Sequence, residues 1–295
     1  MYAEFDLHVP ESLDGALAVL AENGEAGAIM PLAGGTNMIV DLRARSVTPA
    51  ALVSIGKVPG IRGIAIDGGR VRMGGRTTVS DMLRNAQLRA VAPSLLESAG
   101  VFAGQMVRNT ATVAGNICSG SPAADLVPPL LALDADVTLT SRSGSRTLAL
   151  ADFFHGYKQM ARRSDELLTE VSWPVPNANA SNQYYKLARR KGDAITVVGV
   201  AVALRMEDGR SHGVRIALAS VAPIVMRAVA AERTLEGNAL TDEGIEAASR
   251  MAMEESSPID DIRASADYRR HCVHVLTRRL LTQARDRLDS GGSQS

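Results

Sequence analysis

Two cysteines, Cys118 and Cys272, are all that the 295 residues contain. That excludes a disulfide framework, and it excludes an iron–sulfur cluster held by the thiolates of this chain alone. Net charge is missing too, since 32 basic side chains offset 32 acidic ones. A protein that binds nucleic acid irrespective of sequence needs a positive surface to displace counterions, so that class is set aside. No apolar run reaches the ~18 residues of a membrane-span candidate. The opening Met1-Tyr2-Ala3-Glu4-Phe5-Asp6 has neither the basic nor the apolar region of a signal peptide. The expectation is a soluble, cytoplasmic protein. What is present is apolar material, 46% of the residues, enough for a real core and too much for a disordered chain. At ~150 residues per domain, the length suggests about two domains.

Strand and helix signals alternate through the first 56 residues. Phe5–Val9 reads as a short strand, and Ser12 as the N-cap of a helix with Leu13, Ala16, Leu17 and Leu20 on one face. A second apolar run, Ala28 to Ala33, stops at Gly34-Gly35. Thr36 then stands where a helix cap is expected, and Ala51 to Ile55 reads as another strand. A second α/β unit covers 57–176. It opens with a hairpin through Asp67-Gly68-Gly69 and continues with helices at Thr77–Gln87 and Ser94–Ala103. Gly104 to Ala124 is rich in small polar residues without a sustained period, and a loop of that length inside a compact domain is usually functional. A buried helix from Leu126 to Leu133 and a strand from Ala135 to Thr140 follow. The Pro- and Asn-rich stretch Trp173–Asn179 marks a domain boundary. Strands at Tyr184–Ala188, Thr196–Arg205 and Val214–Val221 precede helices at Val225–Leu235, Asp242–Glu254 and Ala266–Leu288. That order describes an α+β domain over 177–288, with helices on an antiparallel sheet, and leaves 289–295 as a flexible tail.

Two stretches carry chemistry. In Pro31-Leu32-Ala33-Gly34-Gly35-Thr36-Asn37 a strand runs into paired glycines and then a helix start, which presents unobstructed N–H groups suited to a phosphate. The spacing is neither Gly-x-Gly-x-x-Gly nor a P-loop, so a plain strand–helix turn is the other reading. The second stretch, Gln105 to Leu126, offers small residues, hydroxyls, amides and one carboxylate, Asp125. Asp125 reads either as a helix-start residue or as an acceptor for the hydroxyls of a ribityl or ribose chain. Two small-residue loops on separate units are placed to grip one long ligand between them.

Ala33-Gly34-Gly35-Thr36-Asn37, Gln105-Met106-Val107-Arg108-Asn109, Thr112-Val113-Ala114-Gly115-Asn116 and Ser121-Pro122-Ala123-Ala124-Asp125-Leu126 occur in that order. Phe153-Phe154-His155-Gly156-Tyr157, Asp165-Glu166-Leu167-Leu168 and Tyr185-Lys186-Leu187-Ala188-Arg189-Arg190 follow. This ordered set, spread over nearly the whole chain, resembles the medium flavoprotein subunit of the molybdenum hydroxylases. Carbon monoxide dehydrogenase, nicotinate dehydrogenase and the FAD segment of xanthine dehydrogenase belong to that family.

The resemblance implies FAD between two α/β subdomains of a PCMH-type FAD-binding domain, with a C-terminal α+β domain closing over the flavin. It implies that Leu32, Ala33, Gly34, Gly35, Thr36 and Asn37 form the first cradle, at the pyrophosphate, helped by Thr112, Ala114, Gly115 and Asn116. It places Ser121 and Asp125 toward the ribityl chain, Leu168 near the cofactor, and Lys186 at the pyrimidine edge of the isoalloxazine. The second loop departs from the family in carrying Ala114-Gly115 where Gly-Gly is frequent, and Ala111 where Gly is frequent; each methyl narrows the space for close approach. The implied activity is electron transfer without a catalytic residue or metal site of its own. Electrons pass from the [2Fe–2S] clusters of a small subunit through FAD to an external acceptor, while a large molybdenum-cofactor subunit oxidises substrate in a dimer of heterotrimers.

On this reading Lys186 stabilises negative charge that builds at the flavin's N1/O2 edge on reduction. The competing reading is a surface lysine on an exposed strand. Only one of Tyr184 and Tyr185 can face the flavin, because strand side chains alternate. His271 and His274 share a helix face without a fourth ligand, and Cys118 reads as a small packing residue. Two other functions stay open at this stage: a stand-alone flavin oxidoreductase and a non-catalytic nucleotide-binding module.

Overall fold

The structure, a computed structural model, describes residues 4–22 and 28–292. The first unit contains β1 (Asp6–His8), α1 (Leu13–Ala21), β2 (Ile29–Leu32), α2 (Met38–Arg43) and β3 (Ala51–Ser54). Its strands form a parallel sheet in the order β1–β3–β2. Ser12 caps α1, accepting from the Gly15 N–H at 3.0 Å. The helix buries Ala16, Leu17 and Leu20 against Val53, Ile55, Val58, Ile61 and Leu167. Thr36 does not cap α2. Asn37 holds the cap position in a helical conformation without a side-chain bond, so the Thr36 hydroxyl is not spent on capping.

The second unit begins with β4 (Ile64–Asp67) and β5 (Arg70–Gly74), joined by Gly68 and Gly69 at φ 52° and 73°. Two consecutive positive φ values are what a two-residue hairpin turn demands. The helix expected over 77–87 is two helices, α3 (Val79–Arg84) and α4 (Ala86–Val91). Thr78 closes a capping box with Asp81, and Asn85 caps the second piece by accepting from Leu88 at 2.9 Å. Then come α5 (Pro93–Val101), α6 (Gln105–Arg108), α7 (Val113–Cys118) and α8 (Val127–Ala132). The long Gly104–Ala124 stretch therefore contains two short helices, too brief to show a period. Strands β6 (Asp136–Ser141), β7 (Gly144–Ala149), β8 (Phe154–Gly156), β9 (Gln159–Met160) and β10 (Leu167–Pro174) complete the unit. Its main sheet is antiparallel in the order β4–β5–β10–β6–β7, and β8–β9 is a separate hairpin.

The chain passes through 175–179 into a third unit. This holds β11 (Ala180–Ala188), β12 (Thr196–Glu207), β13 (Arg210–Ala219), β14 (Met226–Arg227), α9 (Val229–Leu235), α10 (Asp242–Glu255) and α11 (Ala266–Gly292). Its sheet is antiparallel in chain order. The two faces differ in side-chain size. Val198, Val200, Val202, Ile216 and Leu218 point to a core shared with Ala231, Ile245 and Leu281 of the three helices. Fully burying each such branched side chain contributes roughly 1.5–3 kcal/mol. Ala201, Ala217 and Ala219 line the other face, whose small side chains let α8 of the second unit lie close. The segment expected as a helix from Val225 starts instead with the two-residue strand β14. The last helix runs on through Gly292, past the expected end at Leu288, so the tail from 289 is partly helical; 293–295 and 1–3 lie outside the described residues.

Candidate functional site

The first loop leaves β2 at Leu32, whose carbonyl accepts from Ile55, just past the end of β3, at 3.0 Å. Only glycine fits at position 34: a β-carbon built there overlaps the Thr110 carbonyl, so the loop touches the second unit backbone to backbone. Gly35 takes φ 70°, a left-handed value that glycine adopts without strain. Among the described residues, none of the N–H groups of Gly34, Gly35, Thr36 and Asn37 is donated to a protein acceptor. Four adjacent unpaired donors form a cradle for an anion.

The second loop is built differently. Thr112 caps α7 by accepting from Gly115 at 3.1 Å. The N–H groups of Val113, Ala114 and Asn116 go to the carbonyls of Thr77, Gly75 and Thr112. Its backbone is thus satisfied internally, and it serves as a rigid wall. Gly115 is exposed, and a β-carbon there would stand 3.9 Å from that of Ala33 in the first loop. Asn116 Oδ1 accepts from Leu126 at 3.1 Å, which ties the wall to the Asp125 segment.

Between the loops lies a cavity of about 310 Å³, within the range of ligand sites. Ala33, Gly34, Gly35, Thr36, Asn37, Thr112, Ala114, Gly115, Asn116 and Leu168 line it, as do Phe102, Asp41, Lys158 and Arg162, which the motif reading missed. Lys158 and Arg162 follow directly on the Phe153–Tyr157 motif, and that proximity was the available signal. Four expected residues are off the wall: Leu32, Ser121, Asp125 and Lys186. Leu32 is tied into the β2–β3 ladder, and the Ser121 hydroxyl turns back to accept from Ala123 at 3.2 Å.

Asp125 and Lys186 are held together. Lys186 Nζ donates to Asp125 Oδ2 at 2.7 Å, and Asp125 Oδ1 accepts from the Thr196 hydroxyl at 2.5 Å and from the Tyr184 hydroxyl at 3.4 Å. Lys186 is therefore not a surface lysine, and its charge is matched by a carboxylate rather than left open. The two tyrosines point to opposite faces of the sheet, and neither lines the cavity. Tyr184 faces the second unit, and Gly199 leaves room for its hydroxyl, because a β-carbon there would come within 3.2 Å of it. Tyr185 packs on the helical side, with the Arg279 guanidinium 4.8 Å from its ring centre. Burial, then the Asp125 charge and its hydrogen bond, hold the Tyr184 hydroxyl well above its ordinary pKa. Burial likewise pushes the Cys118 thiol up to about 11, which makes it a poor nucleophile. His274 is occupied by Glu246 at 3.1 Å, and no group of three or more metal-ligand side chains occurs among the described residues.

The family model of the FAD binding domain in molybdopterin dehydrogenase matches residues 3–176, and that of the CO dehydrogenase flavoprotein C-terminal domain matches residues 183–284. The chain belongs to the FAD-subunit family of the molybdenum hydroxylases. The carbon monoxide dehydrogenase medium chain of Hydrogenophaga pseudoflava is 31% identical over 95% of this chain and 96% of its own length. The putative xanthine dehydrogenase FAD-binding subunit of Escherichia coli is 29% identical over 94% of each. The solved carbon monoxide dehydrogenase from Hydrogenophaga pseudoflava superposes with a TM-score of 0.93 at 33% identity, covering 97% of this chain and 99% of that one. Quinoline 2-oxidoreductase from Pseudomonas putida 86 gives 0.87 at 27% identity, covering 96% and 98%. As in its family, this FAD subunit is an oxidoreductase component with FAD as cofactor, and the cradle fits it. A dinucleotide's pyrophosphate needs clustered donors and close backbone approach, and Gly34–Asn37 supply both. No helix among the described residues is long and apolar enough to cross a membrane.

Proposed function

We propose that this flavoprotein is the electron-relay subunit of a heterotrimer, working in the cytoplasm with a large molybdenum-cofactor subunit and a small subunit carrying two [2Fe–2S] clusters. Two heterotrimers associate as a dimer. The observation that carries the reading is the cavity between loops of two units, with four unpaired N–H donors on one side and a backbone-satisfied wall on the other. The names of the relatives, medium chains and FAD subunits of dehydrogenases, support the same role.

FAD, when bound, supplies a centre that takes electrons singly from iron–sulfur clusters and releases them in pairs to an external acceptor. Gly34 to Asn37 hold its pyrophosphate, with Thr112 to Asn116 as the facing wall. Leu168 packs beside the cofactor, and Ser121 and Asp125 stand toward the ribityl chain. Lys186 lies by the pyrimidine edge as half of a neutral pair with Asp125, so it offers a directed N–H dipole rather than a bare charge.

Purification tests this directly. The chain alone is expected to take up FAD and turn yellow, and to stay oxidised when offered small substrates anaerobically. Co-expressed with both partner subunits, its flavin is expected to be reduced by the substrate of the complex. Reduction of the isolated chain by a small substrate would sink the relay assignment, and a chain that cannot be reconstituted with FAD would sink the site itself.

A further inference from the structure

Part of the cavity wall carries two cations that the fold leaves without acidic partners. Lys158 sits at the turn of the β8–β9 hairpin and Arg162 just beyond it, and both line the cavity. Glu166, four residues after Arg162, is already committed: Arg146 holds it through Nε at 2.6 Å and a second nitrogen at 2.9 Å. Arg162 reaches only carbonyl oxygens, those of Arg163 at 2.9 Å and Glu166 at 2.8 Å. Among the described residues, neither Lys158 nor Arg162 forms an ion pair. Asp41 is the single acidic residue on the wall, so the lining is net positive in a chain whose overall charge is zero.

The hairpin is also fixed in place. Lys158 N–H donates to the Gly120 carbonyl at 3.3 Å, just past the end of α7. Gly120 has φ 59°, and a β-carbon there would stand 2.9 Å from Lys158 Cα. Arg162 is close enough to Cys118, also on the wall, for its charge to temper the burial that raises that thiol.

We infer that Lys158 and Arg162 form a cationic clamp on the phosphates of the dinucleotide, supplying the charge that the neutral N–H donors of Gly34–Asn37 lack. Those N–H groups give hydrogen bonds, but they do not compensate a dianionic diphosphate taken partly out of water. Two unpaired cations lining the same cavity do. The clamp rests on the reading of this cavity as the FAD site, and it makes flavin retention dependent on salt.

The experiment is a titration of the full-length, flavin-stripped chain with FAD, followed by flavin fluorescence at rising sodium chloride, with riboflavin as the phosphate-free probe. Wild type is expected to bind FAD less tightly as salt rises. Lys158→Gln and Arg162→Gln are each expected to lose about tenfold at low salt, and the double variant to lose most of the salt dependence. Lys158→Arg is expected to bind as wild type does, and riboflavin to bind equally to all four. A double variant with wild-type FAD affinity and salt response would overturn the clamp. So would a loss of riboflavin equal to the loss of FAD, which would mark a purely structural role. A wild-type chain that binds no FAD under any salt would instead overturn the reading of the cavity.

Discussion

Lys186 and Asp125 meet across the junction of the second and third units, with Nζ 2.7 Å from Oδ2 and only 5% and 10% of their side chains exposed. Removing one partner of a buried pair leaves an uncompensated charge, which typically costs about 3–5 kcal/mol. Lys186→Met is therefore expected to destabilise the chain by an amount in that range in denaturant unfolding. Adding Asp125→Asn should restore a good part of the loss, because it removes the stranded charge. A double-mutant cycle with no coupling between these positions would show that the pair does not hold the units together. If Lys186→Met also leaves the flavin's reduction potential unchanged, the placement of this lysine at the pyrimidine edge is wrong.

Gly34→Ala drives a β-carbon into the Thr110 carbonyl, which is backbone and cannot swing aside. The two loops must then separate, and FAD affinity is expected to fall by about a hundredfold or more, with a stability loss of about 1–3 kcal/mol. Gly100→Ala in α5 is the matched control, since nothing lies within 4 Å of its added carbon. It is expected to be neutral, or to stabilise by up to about 1 kcal/mol through helix propensity. Equal behaviour of the two variants in flavin titrations would contradict the close approach.

Acid should weaken the second unit through Asp81. Burial on its own would raise this carboxyl, but hydrogen bonds from Arg62, the Thr78 N–H and hydroxyl, and Arg84 outweigh it and hold the group well below the usual carboxylate range. Because the folded value lies below the unfolded one of ~3.9, the stabilisation is complete above that pH. It is lost as pH falls from there through the folded value. Melting temperatures between pH 7 and pH 3 are expected to drop more steeply for wild type than for Asp81→Asn, which has no such group to protonate. Parallel curves would rule the contribution out.

Neither thiol should react readily in the folded chain. Burial raises Cys118 to about 11 and raises Cys272 as well, so at pH 8 the thiolate fraction of each is small. Alkylation followed by mass spectrometry is expected to label both within minutes in denaturant and neither at a comparable rate in buffer. FAD should slow Cys118 further, because that residue lines the cavity. Fast labelling of Cys118 in the folded, flavin-free chain would mean that the wall around it is open.

The first loop was legible in the sequence because its signal is local: a strand, two glycines and a helix start specify a turn with free donors. The hairpin at Gly68-Gly69 was legible for the same reason, as positive φ values of 52° and 73° require such residues. The second loop was read as structureless because α6 and α7 span only four and six residues. Lys158 and Arg162 escaped because, beyond their place just after the Phe153–Tyr157 motif, nothing local distinguishes a cation facing a cavity from one facing water. What reveals them is Arg146, which arrives from β7 and occupies the Glu166 carboxylate. The pairing of Lys186 with Asp125 was hidden likewise, by a sequence separation of 61. Motif reading placed both near the same ligand, but it could not show that each neutralises the other.

The core of the first unit is small and borrows Leu167 from β10 of its neighbour. It also meets the second unit main chain to main chain at Gly34 and through Arg76, whose guanidinium donates to the Gly56 carbonyl. A dinucleotide lodged there acts as mortar between two blocks. Flavin loading is then a step in maturation as much as a supply of redox chemistry, and the empty chain should be the form that proteases open first, within residues 4–56.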